Sequence, residues 1–151
     1  MLKRLGLSLA ILLVVASAVG CAQVEPTPTP APVETAALTI TGSVESAAEW
    51  SVAALRAMPQ TSTDYVGKDG DTVTYSGVAL SALLDEAGCA TKATTIAFVA
   101  SDGYSAEGDL AEVRAVEGGI VAIADDGSLR VVLPDMSGKL QVKDLVEIQL
   151  S

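Results

Sequence analysis

The sequence has no histidine, one phenylalanine, one tryptophan and two cysteines among its 151 residues. Each shortage removes a class of chemistry. Without imidazole there is no serine–histidine nucleophile, no zinc site of the usual kinds and no ordinary copper or haem ligation. Two cysteines allow one disulfide at most. If Cys21 is engaged elsewhere, Cys89 stands alone and the folded part must cohere by packing Ala, Val, Leu and Ile. Basic residues are scarce too, with 9 Lys and Arg against 19 Asp and Glu. That balance argues against nucleic acid as a partner and against adhesion to anionic lipid through basic patches. The longest apolar run, Leu5 to Val19, has 15 residues. It falls short of the roughly 20 that a membrane-crossing helix needs.

That run is nevertheless informative. Lys3 and Arg4 precede it, and it ends in Ala18-Val19-Gly20-Cys21. A positive start, a short apolar stretch and small residues before a cleavage point are the parts of a secretory signal peptide. Small residues followed by cysteine resemble the lipobox of bacterial lipoproteins, although Ala18 stands where Leu or Val is usual. The expectation is a signal peptide over residues 1–21 with Cys21 lipidated, which places the protein on the extracytoplasmic face of the cell membrane. Residues 22–36 follow with Pro26, Pro28, Pro30 and Pro32 and no aromatic residue. Such a stretch favours extended polyproline geometry and should act as a semi-stiff spacer.

What remains, residues 37–151, is enough for one compact core. Loss of Lys3 and Arg4 leaves 7 basic residues against 19 acidic ones, a net charge of −12. Ala37 to Gly42 alternates apolar and polar residues as a half-buried strand does. Ser51 can cap a short helix from Val52 to Met58, stopped by Pro59. Thr63 to Val66 and Thr72 to Tyr75 flank Asp69-Gly70, a strong hairpin signal. Leu80 to Ala87 has helical spacing, with Gly88 placed to end it. Thr94 to Ala100 reads as a buried strand, and Asp109 with Glu112 has capping-box spacing for a helix around Leu110 to Arg114. Ile120 to Ala124, Leu129 to Leu133 and Leu145 to Leu150 complete the strands. Many short strands with two or three short helices make an α+β domain. The acidic turns Asp69-Gly70-Asp71 and Asp125-Asp126-Gly127 lack the spaced oxygen series of a calcium loop and read as ordinary turns.

Several fragments, taken in order, resemble the molybdopterin-binding domain of the sulfite oxidase family. They are Leu38-Thr39-Ile40-Thr41-Gly42, Leu55 with Met58-Pro59, Tyr75-Ser76-Gly77-Val78-Ala79-Leu80, Ser101-Asp102-Gly103-Tyr104, and Arg130-Val131-Val132-Leu133-Pro134. Gly138-Lys139 with Val142-Lys143 closes the series. The resemblance covers nearly all of residues 37–151 and implies a mixed α+β fold. It also implies a molybdenum atom on a pyranopterin dithiolene, further held by a protein cysteine, with basic groups on the pterin's phosphate. Oxo transfer at such a metal performs chemistry that amino acids cannot.

Carried onto this chain, the resemblance is incomplete. The segment Gln60 to Thr74, where it places the metal-holding cysteine, contains none. Cys89 lies beyond the Leu80 helix, in a place the pattern does not use, and reads as a small residue packed under a helix end. No catalytic or metal-ligating residue is therefore expected. The candidate cofactor-binding residues are Arg130, Lys139, Lys143 and Tyr104, with molybdopterin the cofactor the resemblance implies. Solvated lysines and a structural Asp102-Gly103-Tyr104 turn are the plainer alternatives. The expected function is a membrane-anchored accessory or ligand-binding module, non-catalytic, serving a small anionic ligand or a protein partner. The alternative is a molybdopterin-dependent oxidoreductase acting on a small oxo-acceptor substrate, and a purely structural surface protein is the third reading.

Overall fold

Two sheets and three short helices build the domain in the computed structural model, which describes residues 35–151. The signal peptide, Cys21 and residues 22–34 of the spacer lie outside the described residues. The first sheet contains β1 (Leu38–Gly42), β2 (Ala48–Trp50), β5 (Thr95–Ala100), β6 (Ser105–Asp109) and β9 (Leu145–Leu150), in the order β2-β1-β9-β5-β6. The second contains β3 (Gln60–Val66), β4 (Thr72–Ala79), β7 (Ile120–Ile123) and β8 (Leu129–Val132), in chain order. Pairing is antiparallel except between β1 and β9. The architecture is the expected α+β class.

Local chemistry explains the helices. Ser51 caps α1 (Val52–Ala57) by accepting from the Ala54 N–H, and Pro59 follows its end. Asp109 does the same for α3 (Leu110–Ala115), accepting from the Glu112 N–H. The helix α2 (Leu80–Glu86) buries Leu80, Leu83 and Leu84, spaced along one face, and Gly88 beyond it takes the left-handed φ of 65°. One cluster of buried side chains draws on both sheets and all three helices, including Ile40, Leu55, Leu83, Phe98, Val113, Val131 and Ile148. Burying each such side chain contributes about 1.5–3 kcal/mol relative to leaving it exposed.

Three elements were not expected from the sequence: β2, β6 and a 3-10 turn at Gly138–Leu140. In β6, Ser105-Ala106-Glu107-Gly108-Asp109 lacks the β-branched and aromatic residues that strands favour. It is an edge strand, and its register is set by β5, with Thr95 opposite Asp109 and Val99 opposite Ser105. Asp102-Gly103-Tyr104 forms the reversal between them. The Asp102 carboxylate accepts from the Tyr104 N–H, and Gly103 has a φ of 88°. The β3–β4 hairpin is longer than expected, pairing from Gln60↔Val78 to Val66↔Thr72.

Candidate functional site

The second sheet forks. β4 pairs with β3 from Thr72 to Val78, but with β7 only at Gly77↔Ala122, Val78↔Val121 and Ala79↔Ile120. Thr72 to Ser76 therefore runs on past the last β7 pair. Gly77 makes the close approach possible, since a Cβ there would stand 2.0 Å from the Val121 carbonyl oxygen. A cleft of about 570 Å³ opens in the fork. Thr74, Tyr75 and Ser76 line one side and the β7–β8 turn the other, with Arg130, Lys143 and Asp144 contributing as well.

Arg130, on β8, is the central side chain. Its Nη1 donates to the Tyr75 hydroxyl at 2.9 Å, and its guanidinium carbon stands 5.0 Å from the centre of the Tyr75 ring. The Tyr75 ring also packs, with Tyr65, on a second apolar cluster of Ile120, Ala122 and Val132. Nε of Arg130 is buried with no hydrogen-bond partner, alone in that respect among the described residues' buried side-chain nitrogens and oxygens. Nor does a carboxylate lie within ion-pair distance, because the one ion pair among the described residues is Arg114–Asp85. A half-buried guanidinium is usually paired. This one is supported on a ring and left short of acceptors.

Lys143 reaches the same cleft because residues 142 and 143 run along the free edge of β8. The Val131 N–H donates to the Val142 carbonyl, and Lys143 bridges opposite Arg130. Asp144 then takes a positive φ of 52° and turns the chain into β9. Arg56 of α1 fixes the β7–β8 turn, its Nη2 donating to the carbonyls of Ala124 at 2.9 Å and Asp125 at 3.4 Å. Within that turn Asp126 accepts from the Ser128 N–H and hydroxyl, and those two bonds hold its carboxyl below the usual carboxylate range.

Of the four residues expected to hold a cofactor, the fold brings Arg130 and Lys143 together and sets Lys139 and Tyr104 apart. Lys139 lies in the 3-10 turn, and its carbonyl accepts from the Tyr104 hydroxyl at 3.2 Å. Neither is among the residues lining the cleft. Tyr104 thus ties the β5–β6 turn to the 3-10 turn, and its exposed ring does not cover the core. Sequence reasoning met Asp125 only as part of an acidic turn and Tyr75 only within a motif, and it did not reach Asp144. For Tyr75 the available signal was its place in the Tyr75-Ser76-Gly77-Val78 motif.

The donors in the cleft suit part of the cofactor that the resemblance implies. Guanidinium, ammonium and hydroxyl groups match a phosphate-bearing head group. No sulfur lines the cleft. Cys89 bridges opposite Val44, packs against the main core and is only half-buried there. Gln60 to Thr74, where a metal-holding cysteine would fall, folds as the β3–β4 hairpin. Among the described residues no three of His, Cys, Asp or Glu converge to hold a metal ion. The residues fit the anionic portion of such a cofactor and do not fit a thiolate-held metal.

Comparison with solved structures matches this fold to the sulfane dehydrogenase SoxCD from Paracoccus pantotrophus, with a TM-score of 0.65 and 19% sequence identity. The match covers 78% of this chain and 38% of that one, so the chain spans well under half of that protein's length. No curated protein sequence matches the chain. The sequence profile of the oxidoreductase molybdopterin binding domain matches residues 25–151. The chain therefore belongs to the oxidoreductase molybdopterin-binding domain family, the sulfite oxidase-like group that its motifs resemble.

Proposed function

We propose that the chain is a lipid-anchored, extracytoplasmic module that captures a small anionic ligand in the Arg130–Lys143 cleft and performs no redox chemistry of its own. One observation carries the ligand reading. The Arg130 side chain is half-buried, donates one hydrogen bond, to Tyr75, and has no carboxylate partner, in a cleft that Lys143 also lines. An anion would give the guanidinium's terminal nitrogens the acceptors they lack. The non-catalytic reading rests on the donor set, which lacks the sulfur that this family's metal chemistry uses. The anchor rests on Lys3, Arg4, the apolar run and Cys21.

Family membership favours a second reading, a molybdopterin-dependent oxidoreductase acting on a small oxo-acceptor. The neighbouring structure is itself a sulfane dehydrogenase, but the fold alone does not transfer that activity. Elemental analysis of protein purified from its native membrane separates the two. The expected result is far less than one molybdenum per chain. A stoichiometric amount, with a pterin detected by mass spectrometry, would establish the second reading instead.

A further inference from the structure

The cleft that holds Arg130 and Lys143 is not uniformly positive. Asp125 and Asp144 line it as well, which makes its formal charge two positive and two negative. None of these four groups forms an ion pair within 4.0 Å. Opposite charges that share a small cleft without collapsing together present separated poles. A simple anion would meet Arg130 and Lys143 favourably and the two carboxylates unfavourably. A molecule carrying both charges meets each pole with its opposite.

From this juxtaposition of unpaired cations and carboxylates in one cleft, we infer that the ligand is a zwitterion of the ammonium–carboxylate class. The inference rests on the reading of the cleft as an anion site and specifies that anion's other end. The carboxylate sits against Arg130 and Lys143, and the ammonium toward Asp125 at the β7–β8 turn. Backbone spacing sets the scale. The Ala124 N–H donates to Ser128, so the turn begins two residues from Arg130 along β8. That is about 7 Å at strand rise.

Calorimetric titration of the full chain with three probes of matched length tests this: 5-aminopentanoate, pentanoate and pentylammonium. The aminoacid is expected to bind at least tenfold more tightly than either singly charged probe. The variant D125N/D144N, changed at two exposed positions, should lose that preference and keep pentanoate binding. Equal or tighter binding of pentanoate by the wild type would overturn the zwitterion while leaving the anion cleft intact. If none of the three binds, sulfate distinguishes the remaining cases. Sulfate binding abolished by R130Q overturns the zwitterion alone, and no sulfate binding overturns the anion cleft with it.

Discussion

Arg130 and Tyr75 stand 55 residues apart in sequence and act as one unit. The ring supports the guanidinium from below while its hydroxyl accepts from Nη1, and the same ring covers Ile120, Ala122 and Val132. Tyr75→Phe separates these roles, because it removes the acceptor and keeps the ring. The guanidinium then loses its one hydrogen bond to another side chain. The expected cost is about 1–2 kcal/mol in urea denaturation, toward the low end because the pair is only partly buried. A double-mutant cycle with Arg130→Met should return a coupling of about 1 kcal/mol. A coupling indistinguishable from zero would show that the two side chains are merely adjacent. Sequence alone could pick out Arg130, a basic residue in an apolar strand among few cations. It could not show Tyr75 beneath it, because that contact depends on how β4 and β8 flank β7.

At the scale of elements, the cleft exists because β4 meets β7 over three residue pairs and then departs. Gly77 is the last of those pairs, and its missing side chain is what lets the strands approach. Gly77→Ala would place a methyl group 2.0 Å from a backbone oxygen that no side-chain rotation can move aside. The expected loss is about 3 kcal/mol or more, at the upper end for overpacking. Gly103→Ala is the useful contrast. It meets no atom within 4 Å but sits at a φ of 88°, so it should cost about 1 kcal/mol by backbone strain alone. Urea midpoints for the two variants check the order, and equal losses would refute the steric account of Gly77. Elements with their own chemistry were legible in sequence: the Ser51 and Asp109 caps, the Leu80 face of α2, and the Asp69-Gly70 hairpin. The strands β2 and β6 were not, because edge strands take their conformation from a neighbour. Ala48-Glu49-Trp50 and Ser105 to Asp109 carry little preference of their own, and β1 and β5 supply the ladder. Lys139 failed to join Lys143 for a related reason. The 3-10 turn and the Gln141 side chain, bonded to both the N–H and the carbonyl of Leu133, fold residues 133–141 back on themselves.

For the molecule as a whole, charge opposes the proposed anchoring. The chain beyond Cys21 carries −12, and a surface so acidic is repelled by a negatively charged membrane rather than drawn to it. No helix among the described residues is long and apolar enough to cross a membrane. Under the proposed anchoring, retention at the membrane comes from the lipid on Cys21 alone. A single acyl chain binds only marginally, whereas two or more hold firmly, so a diacylglyceryl cysteine suffices without electrostatic help. Two consequences follow together. High salt should not extract the wild-type protein, since screening removes no attraction that was holding it. Cys21→Ser should abolish incorporation of labelled palmitate, which the wild type should show. Palmitate labelling that persists in Cys21→Ser, or a wild type that never takes the label, would mean that the chain is held by something other than its cysteine.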